Sequence, residues 1–180
     1  MTTRLTDFPD WTGETVAVLG NAPSLAAELA TLQRPIRAIA VNRAAVVAPW
    51  ADMMVSIDAN WPAAADGFQG LRVVGCEGDV DAYFVHLPHE VVALAPDQTI
   101  HIRSNLLSAI RIAAQAGATK ILLLGIDIER YQSLHDAPGV AEGLAALVVE
   151  MAARGVVVER YQVPTSTTAA PDAKAKRKGS

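Results

Sequence analysis

Cysteine is nearly absent from this chain. Cys76 stands alone among 180 residues, which excludes an intramolecular disulfide and any metal site built from several cysteines, and fits a reducing compartment. Long apolar runs are missing as well: no stretch approaches the roughly 18 residues that a membrane-spanning helix needs. The N-terminal "MTTRLTDFPDWTGE" is polar and acidic and lacks the basic-then-apolar build of a secretory signal, so the expectation is a soluble, cytoplasmic protein. Positive charge is scarce. Fifteen Lys and Arg against 19 Asp and Glu leave a net charge of -4, with no basic field that would make nucleic acid the main partner of the folded part. Of the four histidines, His86, His89 and His101 fall in the less clear segment 77–101 and have no ligand-like spacing to a second His or Cys, so no zinc site is proposed. No internal repeat is visible.

What remains is a globular composition, 51% hydrophobic and 19% charged, of a size for one domain. "TVAVLG" (15–20), "IRAIAVN" (36–42), "DMMVSID" (52–58), "LRVVGC" (71–76), "TKILLLGID" (119–127) and "GVVVERY" (155–161) are short, β-branched and bounded by Gly or polar residues, which predicts strands. Several are apolar throughout, as suits a parallel sheet covered on both faces. Helical stripes lie between them: Leu25, Leu29 and Leu32; Leu106, Ile110 and Ala113; and Leu144, Leu147, Val148 and Met151, the last closed by Gly155 after Arg154. "YFVHL" and "QTIHI", within 77–101, are candidate short strands. The alternation predicts an α/β fold, a doubly wound, mostly parallel sheet with helices on both faces. Residues 1–14 read as an N-terminal extension, 15–163 as the single domain, and 164–180, ending in Lys174, Lys176, Arg177 and Lys178, as a flexible basic tail.

Ligands of such folds gather where strands end in helices, at their carboxyl edge, and five polar groups fall there. In "TVAVLGNAPSLAAEL" (15–29) a strand stops at Gly20 and a helix follows Ser24. Asn21 offers a carboxamide, and backbone N–H groups at a helix start receive anions. Glycines are missing for the dinucleotide fingerprint and Gly-Lys-Ser/Thr for a P-loop, so a phosphate turn and a plain turn with Ser24 as helix cap stay evenly matched. Asn42-Arg43 ends the second strand, where a simple turn former is the commoner role of Asn. Asp58 could hold a ribose hydroxyl or a metal, or cap a helix near Asn60. Ser104, in "IRSN" (102–105), is placed equally to cap the most regular helix and to meet a phosphate. In "GIDIERYQSLHD" (125–136), Asp127 ends the longest apolar strand, and Tyr131 and His135 follow on a loop. A His there suits general acid–base work or phosphate binding, with an idle surface His as the alternative.

The order of these pieces, "VAVLGNAPSL", "AVNRAAVVAPWADMMVSID", "SNLLSAIRIAAQAGATKILLLGID" and a loop His, resembles a superfamily with two characterised branches. One is the bacterial sialyltransferases that use a CMP-linked sugar. The other is the archaeal 6-hydroxymethylpterin diphosphokinase-like proteins, with bacterial flagellin-modification factors and short phage proteins. "APWAD" and "LLLGID" are most similar to the short phage proteins, and the likeness runs from about residue 15 to 160. It implies a Rossmann-like nucleotide-binding domain. Asn21 and Asn42 would contact the nucleotide, Ser104 would lie near phosphate and sugar, His135 would be the catalytic base and Tyr131 would help the leaving phosphate. The candidate nucleotide-binding set is Gly20, Asn21, Pro23, Ser24, Asn42, Asp58, Ser104, Asn105 and Asp127; the catalytic pair is His135 and Tyr131. The chain departs from the pattern at Asn105 and Ala22, where the family has glycine, and lacks the lid of the full-length sialyltransferases.

Three functions follow from the resemblance. The lead is a glycosyltransferase-like enzyme with a CMP-type nucleotide-sugar donor, a small-molecule or glycan acceptor and no required metal. The second is a diphosphokinase using ATP and Mg²⁺, with Asp58 and Asp127 holding the metal. The third is a non-catalytic, phage-type nucleotide-binding or assembly protein. No membrane partner is expected, nucleic acid only at the basic tail, and the oligomeric state stays open.

Overall fold

Alternate residues of the central strands are buried against one or the other of two helical layers. A computed structural model describes residues 9–56, 67–74, 104–128 and 139–164. In chain order these form β1 (Thr15–Leu19), α1 (Leu25–Thr31), β2 (Arg37–Val41), α2 (Ala44–Val47), β3 (Met53–Ser56), β4 (Leu71–Val74), α3 (Asn105–Gln115), β5 (Lys120–Leu124), α4 (Val140–Ala153) and β6 (Val157–Arg160). The strands make one six-stranded sheet in the order β4-β3-β2-β1-β5-β6, and every pairing is parallel. The expected doubly wound α/β, Rossmann-like architecture is therefore present, and its sheet is wholly parallel.

Period-two alternation sorts the strand side chains. Val16, Val18, Ile39, Val41, Met53, Val55, Ile121 and Leu123 face the layer of α3 and α4. Ala17, Leu19, Ala38, Ala40, Met54 and Leu124 face α1 and α2, which return Leu25, Leu29, Ala44 and Ala45. The second face is rich in alanine, while the first is built from larger, mostly branched side chains. Helix α3 is buried along nearly its whole length.

β1, β2, β5 and β6 stop one to three residues inside the predicted spans, because backbone pairing ends before the predicted run does, and the predicted ends of the third and fourth strands, 57–58 and 75–76, lie outside the described residues. Helix α2, too short to show a periodicity, was not expected. "YFVHL" and "QTIHI" lie outside the described residues. Trp11, in the segment read as an extension ahead of the domain, is 1% exposed and sits in the main core. Its N–H donates to the Ala116 carbonyl. Among the described residues no helix is long and apolar enough to cross a membrane.

Successive strands run outward from β1 to β4 on one side, and the chain then crosses to β5 and β6 on the other. The switch point of the sheet thus lies between β1 and β5. In open α/β sheets the crevice beyond the carboxyl ends at this point is where ligands bind.

Candidate site at the carboxyl edge of the sheet

Strand β1 enters the edge through Gly20, whose N–H donates to the Leu124 carbonyl at 2.7 Å. A Cβ at Gly20 would come within 2.5 Å of the Gly125 carbonyl oxygen, so the neighbouring turn by itself requires glycine here. The Ala22 N–H donates to Gly125 O (2.8 Å) and the Leu25 N–H to Ala22 O (3.0 Å), while Pro23 has no N–H to give. The Gly20, Ala22 and Leu25 N–H groups of the opening turn are thus committed inside the protein. Ser24 occupies the N-cap position of α1 in a helical conformation (φ -66°, ψ -20°) and makes no side-chain capping bond. Ser24 and Pro23 are both exposed.

What this turn does present is Asn21. Its Oδ1 accepts the Ala44 N–H at 2.9 Å, which satisfies one free amide at the start of α2. The carboxamide is thereby oriented with its oxygen inward, and among the described residues its NH₂ group has no partner.

Asn42 sits at the end of β2 with φ +50°, among the described residues the one non-glycine at positive φ. This conformation is costly for most side chains and tolerated by Asn. The Asn42 N–H donates to Val55 O at 3.1 Å, and Oδ1 accepts a hydrogen from Asn105 Nδ2 at 2.9 Å. The pattern of Asn21 recurs: oxygen engaged, NH₂ end available. The turn-former reading of Asn42 is correct and incomplete, because the same residue also ties β2 to α3.

Ser104 precedes α3 with an extended backbone (φ -131°, ψ 113°) and, contrary to the capping expectation, forms no side-chain cap bond. Its residue is 1% exposed, and among the described residues its buried Oγ has no hydrogen-bond partner. A buried hydroxyl without a partner costs about 1–3 kcal/mol. It stands at the positive end of an eleven-residue helix, where anions are favoured. Asn105 is buried and supplies the bond to Asn42.

Beyond β5, Gly125 adopts φ +61° and Asp127 is exposed. Two side chains that sequence reasoning left out hold this turn. Glu28 Oε2 accepts the Gly125 N–H at 2.7 Å, and Arg160 Nη2 donates to the Ile126 carbonyl. Glu28 lies on a helix and Arg160 on an edge strand, both at positions where a charge is ordinary, so no local signal marks them. Gly20, Asn21, Asn42, Ser104, Asn105 and Asp127 therefore share the carboxyl edge. Asp58, Tyr131 and His135 lie outside the described residues, and among the described residues no group of three His, Cys, Asp or Glu could hold a metal ion.

The opposite edge is built differently. Arg37 lies between Glu14 (3.2 Å) and Asp52 (3.0 Å), and Asp52 first, then Glu14, raise its pKa above the usual guanidinium value. Asp52 also accepts the Ala38 N–H at 2.8 Å, and the Arg34 guanidinium stacks over Trp50 at 3.9 Å. Within "APWAD", Asp52 is thus a staple between β2 and the start of β3, on the far side of the sheet from the candidate site.

No protein-family profile matches this chain, and no curated protein sequence matches it.

Proposed function

We propose that the carboxyl edge seats the phosphate of a nucleotide and that the protein is a transferase acting on a nucleotide-activated donor, glycosyltransferase-like in chemistry. The observation that carries this reading is the Ser104 hydroxyl: buried, without a partner, and at the start of α3. Asn42 and Asn21 support it, since each has its oxygen committed to the protein and an NH₂ group left to give. Neutral donors and a helix start stabilise a phosphate without a lysine or arginine. The donor role of the edge, the acceptor and the catalytic residues come from the family resemblance.

On this reading an acceptor hydroxyl attacks the anomeric carbon of the donor sugar. The new C–O bond forms as the bond from that carbon to the phosphate oxygen breaks. The electron pair leaves with the nucleotide phosphate, and the hydroxyl proton passes to His135. Ser104, Asn42 and the α3 N-terminus hold the charge that grows on the departing phosphate, with Tyr131 assisting.

A thermal-shift panel of CMP, CDP, UDP, ADP and ATP, each with and without Mg²⁺, tests the proposal. A ligand at 100 times its Kd adds about 2.7 kcal/mol of stability. Stabilisation by CMP without metal, abolished by Ser104→Ala, is the expected result. Stabilisation by ATP only with Mg²⁺ favours diphosphate transfer, and no response to any of them removes the nucleotide reading.

A further inference from the structure

At the tip of β5, the Gly125 N–H is the kind of backbone donor that a phosphate takes in a switch-point crevice. Here it is already taken, by Glu28 Oε2 at 2.7 Å. The donors around it are committed too: Gly20 N–H to Leu124 O and Ala22 N–H to Gly125 O. The two turns approach so closely that a Cβ on Gly125 would meet the Leu25 Cβ at 2.7 Å and Gly20 O at 3.0 Å. On the β2–α3 side the situation is reversed, with an unpartnered Ser104 hydroxyl and the Asn42 NH₂ group. The part of the edge around Gly125 therefore carries a carboxylate and three spent amides, of Gly20, Ala22 and Gly125, while the part towards β2 and α3, where Asn21 reaches across to Ala44, carries unspent donors.

We infer that Glu28 is a specificity-determining, built-in anion of the switch-point crevice. It occupies the Gly125 donor, repels phosphate from the β1–β5 side and confines it to the Asn42–Ser104 side. The inference rests on the reading of this edge as a phosphate seat. It narrows the ligand class: a single phosphate linkage at the α3 N-terminus is accepted, and a pyrophosphate spanning the crevice in the manner of a dinucleotide is disfavoured.

The test is a titration of the ¹⁵N-labelled full chain with inorganic phosphate and with pyrophosphate at low ionic strength, followed by amide shifts, on wild type, Glu28→Gln and Ser104→Ala. Glu28→Gln keeps an oxygen to accept the Gly125 N–H and removes only the charge. In wild type, phosphate should move the Asn105 to Leu107 amides and leave Gly125 nearly still. Glu28→Gln should bind pyrophosphate about threefold to tenfold tighter than wild type, the effect of one unit charge several ångströms away in a partly solvated site, and the gain should shrink in high salt. Affinity in Glu28→Gln equal to or below wild type overturns the inference. So does a Gly125 amide in wild type that moves as far as that of Leu106, a readout that needs no variant to fold. Phosphate binding unaffected by Ser104→Ala sinks the Ser104 seat instead, while the comparison of wild type with Glu28→Gln still decides the role of Glu28.

Discussion

Asn105 donates its Nδ2 hydrogen to Oδ1 of Asn42 at 2.9 Å across 63 positions of sequence. The bond fixes the end of β2 against the start of α3 and turns the Asn42 NH₂ outward from that contact. Asn42→Gly keeps the positive-φ backbone and removes the carboxamide. It should weaken binding of the responding nucleotide about tenfold, the value of one hydrogen bond to a charged group. Asn42→Ala should lose the same affinity and, in addition, about 1 kcal/mol of stability for a Cβ in the left-handed region. Ligand titration and urea unfolding on both variants separate the two effects, and an Asn42→Gly protein with undiminished affinity excludes a ligand role for this side chain.

Ser104→Ala should leave stability unchanged or raise it by up to about 1 kcal/mol, since it removes a buried hydroxyl that has no partner. An ordinary N-cap serine behaves in the opposite way, costing about 1 kcal/mol on replacement by alanine. Equilibrium denaturation gives the sign directly. A loss of the N-cap size would mean that the hydroxyl serves the helix after all.

Arg111 on α3 and Glu150 on α4 form a two-pronged ion pair, at 2.9 and 2.8 Å. Their side chains are 6% and 32% exposed. Breaking a buried pair costs most when the buried partner is left charged and alone. Glu150→Leu, which strands the guanidinium, should therefore destabilise by about 3 kcal/mol, and Arg111→Met, which strands a carboxylate that still reaches water, by less. Chemical unfolding of the two single variants tests the order, and Arg111→Met as the worse of the two would contradict it.

Gly20→Ala should destabilise by about 2 kcal/mol or more, because the added methyl meets backbone of the neighbouring turn, which cannot swing away as a side-chain end could. Thermal melting reads this out, and the loss should persist without any ligand.

The Asp10 carboxylate accepts the Thr12 hydroxyl at 2.6 Å and the Thr12 N–H at 3.0 Å. The hydroxyl first, then the amide, hold its pKa below the ordinary 3.8. A carboxylate depressed in the folded state contributes stability that is fully present above its unfolded pKa and is lost as pH falls through the folded value. In Thr12→Val the Asp10 pKa, followed by ¹³C shifts of the carboxyl, should rise towards 3.8. The effect on stability is small, since the group is fully exposed to solvent.

The sheet was legible because its signal is local: five- and four-residue runs such as "TVAVL" and "MMVS" are apolar on both faces, as only a covered parallel strand requires. The helix stripes at Leu25–Leu29 and Leu106–Ile110–Ala113 were legible for the same reason. The polar residues of the edge could be picked out, but what each does could not. Ser24 and Ser104 occupy cap positions without capping, because a cap bond depends on a side-chain rotamer and backbone angle that sequence spacing does not specify. The Gly20 and Ala22 amides of the opening turn are spent on Leu124 and Gly125, about a hundred residues away in sequence. Glu28 and Arg160 act through the same distant turn, and Trp11 reaches the core from a stretch whose neighbours are polar. Each of these is a long-range pairing, invisible to periodicity.

Burial of Trp11 changes where the cooperative unit begins. The indole plugs the end of the core beneath α3, and the backbone around it closes the loop after that helix through Trp11 N–H to Ala116 O and Gly13 N–H to Gly117 O. A fragment started at the first strand would open this plug at the end of α3 opposite Ser104, and the helix that presents the hydroxyl would lose its anchor from behind.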